Sequence, residues 1–183
     1  MTAPSLASRV LYLIACAAPP AQHIRTGIEK AQRDGWDVCL VLTPTAGRWL
    51  EPELPVLETL TGHPVRTRYK LPTEPDVLPA PDAILVAPAT FNTINKWAQG
   101  ISDTLALGLL TEAIGLGLPL VALPYLNRAQ AAHPALDQSV SFLRANEVTV
   151  LLGESGFVPH EPKQGDVANY PWDAAVAALS PLE

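Results

Sequence analysis

The feature that most constrains this chain is a set of short, nearly unbroken apolar runs spaced along its length. "RVLYLIACA" (9–17), "WDVCLVLT" (36–43), "DAILVAP" (82–88) and "LPLVALP" (118–124) leave no polar face. An antiparallel strand with one wet face alternates, whereas a strand covered on both faces reads as a continuous apolar run. Two further segments, "PVRTRYK" (64–70) and "EVTVLLG" (147–153), bring the expected strands to six. Helical patterns lie between them. In 20–34, Ile24, Ile28 and Ala31 share a face and Gly35 stands as the stop. Residues 53–61 start near Pro55, and 92–99 form a short helix. Ser102 and Asp103 read as the cap of a helix running to about Gly115, with Pro134–Ala145 and Trp172–Leu179 as the last two. Strands alternating with helices predict βαβ units. The expected fold is α/β, a single doubly wound and mostly parallel sheet in three layers of the Rossmann-like or flavodoxin-like kind, as one domain over residues 1–183.

Composition narrows the function classes. Charged residues make up 16% of the chain, against about 25% in an average soluble domain. This predicts heavy burial, in the core or against sister subunits. The net charge of −6 and the lack of a basic run argue against nucleic acid or a membrane surface as partner. The apolar start "MTAPSLASRVLYLIACAAPP" reads as a first strand rather than a signal peptide, because its run is short and Arg9 is its one upstream basic residue. A cytoplasmic location is the expectation. Cys16 and Cys39 lie in apolar runs, as reduced core thiols do, and His23, His63, His133 and His160 form no zinc signature, so no metal is expected.

In a doubly wound sheet, ligands bind beyond the carboxyl ends of the strands. The loop "CAAPPAQH" (16–23) lacks a Gly-rich dinucleotide fingerprint, but Ala17 and Ala18 leave room for a ligand against the backbone. "LTPTAGRWL" (42–50) offers the hydroxyls of Thr43 and Thr45 and the guanidinium of Arg48, which suit a phosphate monoester and equally an ordinary turn. In "APATFNTINKWAQGISDTL" (87–105), Pro88 ends a strand, Ala89 gives space, and Thr90, Asn92 and Thr93 supply small polar groups. Such a mixture suits a flat heteroaromatic ring; Thr90 or Asn92 also suits a helix cap. "LPYLNRAQAAHPA" (123–135) carries Asn127 and Arg128, which suit an anionic substrate or a solvated loop. Residues 156–171 are rich in Gly and Pro, and their position permits a lid.

Together these stretches resemble the homo-oligomeric FMN-containing cysteine decarboxylases, a flavoprotein family that includes the phosphopantothenoylcysteine and lantibiotic peptidyl-cysteine decarboxylases. The resemblance spans roughly residues 8–180 and is strongest in 87–105, similar to the family's Pro-Ala-Ser/Thr-Ala-Asn-Thr motif with Phe91 in place of an alanine. "LTPTAGRWL" is similar to the family's Thr-Pro-x-Ala-x-x-Phe loop. "PYLNRAQAAHP" resembles its Pro-x-Met-Asn-x-x-Met segment, with Leu126 and Gln130 replacing the methionines. The resemblance implies FMN, with Ala17, Ala18, Thr43, Thr45, Pro88, Ala89, Thr90, Asn92 and Thr93 around it. It implies a trimer or a dodecamer of trimers, with Trp49 and Trp97 as candidate interface aromatics. It implies oxidative decarboxylation of a cysteine-like, small-molecule or peptide substrate ending in a carboxylate. Asn127 then contacts that carboxylate, assisted by Arg128. The family's His-Ile/Val pair, about eight residues before the Asp of the fourth strand, falls on Glu74, which makes Glu74 the candidate proton-handling group. The alternative implied by that departure is an FMN-binding protein of the same fold without decarboxylase activity.

Overall fold

The structure, a computed structural model, describes residues 9–179; the lead-in residues 1–8 and the last four residues lie outside it. Strand β1 (Arg9–Ala15) passes through a short 3₁₀ turn at Pro19–His23 into helix α1 (Ile24–Arg33). Strand β2 (Trp36–Leu42) leads to α2 (Pro44–Trp49) and α3 (Leu54–Thr61). Strand β3 (Ala83–Ala89) leads to α4 (Phe91–Ala98) and α5 (Leu105–Leu116). Strand β4 (Leu120–Pro124) leads to α6 (Arg128–Ala131) and α7 (Pro134–Ala145), and β5 (Val148–Val150) precedes the last helix, α8 (Trp172–Ala177). All pairings are parallel, in the order β2-β1-β3-β4-β5. The expected α/β fold with one parallel sheet is thus observed. The order reverses direction between β1 and β3, the place where such sheets open a crevice for ligands.

The apolar runs are continuous because the sheet is covered on both faces. Leu11, Leu13 and Ala15 of β1 join a core with Ile24 and Ile28 of α1 and Trp172 and Val176 of α8. The alternate residues Tyr12 and Ile14, with Cys16, join a second core with Ile94 and Trp97 of α4, Leu110 of α5 and Leu143 of α7. Every residue of β3 is buried. Cys16 and Cys39 are both free and buried, as expected of core thiols.

Three expectations are corrected. Residues 64–70 do not form a sixth strand. Only Arg66 reaches β2, its carbonyl accepting from Leu42 N at 2.8 Å and its amide donating to Leu40 O at 3.2 Å. Pro64 has no amide to donate, and the alternate positions Arg66, Arg68 and Lys70 favour water over a second core face. The cap of α5 is Thr104, whose Oγ1 accepts from Leu107 N at 3.3 Å, rather than Ser102 or Asp103. Ser102 instead bonds Thr111, and Asp103 pairs with Lys96. The helix ends at Leu116, one residue beyond Gly115, and is capped by Gly117, whose φ of 68° is the left-handed conformation glycine adopts readily. Finally, residues 44–49 form a short helix, where a turn after β2 is one of the two sequence readings. Pro44 starts it, since its missing amide costs nothing at a first helical position.

Candidate functional site

A cavity of about 610 Å³ opens beyond the carboxyl ends of β1, β2, β3 and β4. That size lies within the roughly 300–1,000 Å³ typical of small-molecule sites. Three strand ends build its first wall. Cys16 N donates to Pro88 O at 3.0 Å and Thr43 N to Ala15 O at 3.0 Å, so the segments leaving β1, β2 and β3 are fixed to one another. Ala17, Ala18, Thr43 and Thr45 line the cavity there. The Thr45 hydroxyl accepts from the Arg48 guanidinium at 3.1 Å, while Arg48 itself stays outside the lining.

The floor comes from β3 and α4. Thr90 caps α4, its Oγ1 accepting from Thr93 N at 3.3 Å and donating to Thr93 Oγ1 at 3.1 Å. The buried thiol of Cys16 donates to the same Thr93 oxygen at 3.3 Å. Burial pushes this thiol up, so it stays protonated and acts as a donor. Thr90, Asn92 and Thr93 all line the cavity, with Phe91 beside them. Pro88 and Ala89 lie beneath the lining; Ala89 O accepts from Tyr125 N at 3.0 Å and so fixes the β4 loop.

The far wall comes from β4 and the C-terminal loop. Asn127 lines the cavity and caps α6 reciprocally: its Oδ1 accepts from Gln130 N at 2.9 Å, and Gln130 Oε1 accepts from Asn127 N at 3.2 Å. Tyr125, Leu126 and His160 line the cavity beside it. His160 arrives from the loop 156–171 by a parallel bridge to Asn127, its carbonyl accepting from Arg128 N at 2.8 Å.

The structure therefore gathers Ala17, Ala18, Thr43, Thr45, Thr90, Asn92, Thr93 and Asn127 around one cavity. It does not bring Arg128 or Glu74 to it. Arg128 points to Glu161, at 2.9 Å, with both side chains more than half exposed. Glu74 lies in the exposed loop before β3, where its Oε2 accepts from Leu71 N at 2.8 Å, closing a local turn. Trp97 is buried in the second core, donating to Leu110 O at 3.2 Å, whereas Trp49 is 49% exposed. Sequence reasoning missed Lys96, Thr104, Tyr125 and His160 as lining residues. Lys96 and Thr104 fall within the polar stretch 87–105, Tyr125 in the strand-end loop 123–135 and His160 in the Gly- and Pro-rich segment 156–171; the stretch is marked in each case, but nothing local singles out Tyr125 or His160 within it.

Among the lining residues there is no carboxylate. The one charged side chain that lines the cavity is Lys96, paired with Asp103 at 2.5 Å. In a chain of net charge −6, the polar groups of the cavity wall are thus hydroxyls, amides, two aromatic rings with polar atoms and one ammonium, set among apolar side chains such as Phe91, Leu107 and Leu126.

The family model described as Flavoprotein matches residues 8–183. The coenzyme A biosynthesis bifunctional protein CoaBC of Bacillus subtilis (strain 168) is 30% identical over 145 residues, covering 76% of this chain and 32% of that protein. The chain thus spans about a third of the length of this curated relative. Two solved structures superpose along nearly the whole chain. The FMN-dependent cysteine decarboxylase SpaF has a TM-score of 0.66 at 23% identity, covering 96% of this chain and 100% of its own. The cypemycin decarboxylase CypD has a TM-score of 0.70 at 21% identity, covering 94% and 92%. At such identities these superpositions establish the shared fold.

Proposed function

Since this chain belongs to the Flavoprotein family, we propose that its cavity holds FMN and that the holoprotein oxidatively decarboxylates a cysteine-type substrate ending in a carboxylate. One observation carries the reading: a cavity at the β1/β3 switch point whose wall offers hydroxyl, amide and ammonium groups and no carboxylate. That donor set fits a phosphate monoester at one end and a polar, flat ring at the other. A phosphate would meet repulsion from any acidic wall, and none is there.

Each wall has its part. The Thr43 and Thr45 hydroxyls are the donors for the phosphate, and Ala17 and Ala18 let it approach the backbone. Thr90 and Thr93 are locked by their mutual hydrogen bond, so the α4 end presents a rigid edge to the ring, with Asn92 beside it. Asn127 has its oxygen committed to the α6 cap, which leaves its Nδ2 amide to donate to a carboxylate. Bound FMN supplies an acceptor for the two electrons that leave the substrate's Cα–Cβ–S unit. The protein's own contribution is to orient the thiol and carboxylate and to exclude water from between them.

The same reading includes assembly as a homotrimer or a dodecamer and a cytoplasmic location. Large apolar side chains left exposed, Trp49 at 49%, Phe142 at 49% and Leu116 at 68%, support association. No helix among the described residues is long and apolar enough to cross a membrane.

The test is direct. The purified protein takes up FMN and turns yellow, and cysteine-terminated peptides or acyl-cysteines lose the mass of carbon dioxide plus two hydrogens. Asn127→Ala retains FMN but turns over slowly. A protein that stays colourless with FMN sinks the cofactor reading; a yellow protein with no mass loss across the panel favours an FMN-binding protein without decarboxylase activity.

A further inference from the structure

Phe91 is the large apolar side chain that the end of β3 sends into the cavity, among the small polar groups of Thr90, Asn92 and Thr93. It is the first residue of α4, and the N-terminus of that helix faces the cavity. The Cα–Cβ bonds of a helix tilt toward its N-terminus, so a ring at the first position projects beyond the strand end rather than back along the helix. Leu107 and Leu126 also line the cavity, but at 3% and 2% exposure they offer it little surface. Phe91 is only half-buried and stands out from them.

The ring is held in place from several sides. Its backbone is fixed where Thr90 Oγ1 accepts from Thr93 N at 3.3 Å and Thr90 O accepts from Ile94 N at 3.0 Å. Part of the ring packs against the second core. Against it stands the ring of His133, with centroids 5.5 Å apart and planes at 81°. His133 is itself held as the cap of α7, its Nδ1 accepting from Ala135 N at 3.1 Å. The Ser139 hydroxyl donates to Asn95 Oδ1 at 2.7 Å and so ties α7 to α4. His133 follows closely after α6, whose cap is Asn127. Phe91 thus reaches from α4 toward the segment that carries Asn127 and Gln130, the amide-bearing end of the cavity.

We propose that Phe91 is a specificity-determining residue, whose ring narrows the Asn127 end of the cavity so that it admits a cysteine-type ligand with a small acyl group on its nitrogen and rejects one whose acyl group is broad beside the carbonyl. This rests on the reading of the substrate given above. There the carboxylate lies on Asn127 and the Cβ–S unit is the part oxidised, so the nitrogen is the substituent of Cα left to meet the wall. A phenyl ring offers that nitrogen no acceptor comparable to a carbonyl; what it controls is space. Selection by a clash requires a group that cannot step aside, and the contacts with His133 and the second core supply that rigidity. A misfit of one or two methyl groups in such a pocket is worth roughly 10-fold or more in affinity.

The experiment is calorimetric titration of the FMN-loaded protein with N-acetylserine and N-pivaloylserine. Serine keeps the carboxylate and the acyl group and has no thiol to oxidise, so binding is read without turnover. The wild-type protein binds the acetyl ligand roughly 10-fold or more tighter than the pivaloyl ligand. In Phe91→Ala the ratio of the two dissociation constants falls toward 1, and in Phe91→Val, which keeps part of the core packing, it takes an intermediate value. A general loss of stability weakens both ligands alike and leaves the ratio where it was. Equal binding of the two ligands by the wild type, or a ratio that falls in neither variant, overturns the role of Phe91 and leaves the decarboxylase reading intact. Binding of neither ligand by any of the three proteins overturns the inference together with the placing of the carboxylate on Asn127. A ratio that follows the size of residue 91, in a protein that releases no carbon dioxide from cysteine substrates, supports the selection by Phe91 and sinks the decarboxylase.

Discussion

Replacing Gly27 by alanine opposes two effects whose sizes the structure lets us rank. Gly27 sits inside α1 on its buried face. Alanine there gains about 1 kcal/mol of helix propensity. The added Cβ, however, would lie 2.5 Å and 2.6 Å from Cζ3 and Cε3 of Trp172 and 3.2 Å from Cη2. Carbon atoms rest at roughly 3.5–4.0 Å, so the indole must retreat by about 1 Å. It has little freedom to do so. Trp172 is buried and stands edge-on to Tyr170 at 5.0 Å, and the Tyr170 hydroxyl is anchored on Leu123 O at 2.6 Å. The ion pair of Lys30 with Asp173 also ties α1 to α8. Overpacking of this kind costs about 1–3 kcal/mol, which exceeds the propensity gain and leaves a net loss of about 1 kcal/mol. Urea denaturation at fixed FMN concentration measures it as a lower midpoint with unchanged slope. A thermal scan should show a drop of roughly 2–4 °C. In a Trp172→Leu background the clash is gone, and Gly27→Ala becomes stabilising. A Gly27→Ala protein as stable as wild type, or equal effects in the two backgrounds, refutes the reasoning.

Thr90→Ala removes the α4 cap and costs about 1 kcal/mol in urea denaturation, and it weakens FMN binding in a fluorescence titration; Thr90→Ser restores both. Alkaline stability should fall between pH 9 and 12. Burial pushes the Tyr12 hydroxyl from 10.0 and the Cys39 thiol from 9.0 up to about 12. Both groups hold their protons more tightly when folded, so their contribution is complete below the unfolded values and is lost as pH rises through the folded ones. A melting-temperature profile shows this fall, and Tyr12→Phe flattens its upper part. Glu74→Gln leaves turnover at the wild-type level in the mass-loss assay, because that carboxylate closes a turn outside the cavity.

The main axis of the fold and much of the site were legible along the chain. Four apolar runs without a polar face, such as 82–88, demand a parallel sheet covered on both sides, and the polar residues just beyond them fall at the strand ends where ligands bind. Thr43, Thr45, Thr90, Asn92, Thr93 and Asn127 could be picked out for that reason. Residues 64–70 misled because β-branched and aromatic side chains suit a strand locally, whereas pairing requires a neighbour along the whole edge, and only Arg66 meets one. Thr104 was passed over for Ser102 because several capping residues lie in a row and only the path of the chain into α5 selects among them.

Arg128, Glu74 and His160 show where local reading stops. Arg128 and Glu74 have suitable chemistry but are spent on Glu161 and on a turn. His160 looked like one of four scattered histidines until the bridge to Asn127 placed it in the cavity wall. Hydrophobic periodicity is a property of neighbours in sequence, so the chain alone determines the sheet and the edge on which a ligand rests. Whether a polar atom is free to meet that ligand depends on which distant segments pack around it, and only the tertiary structure decides that.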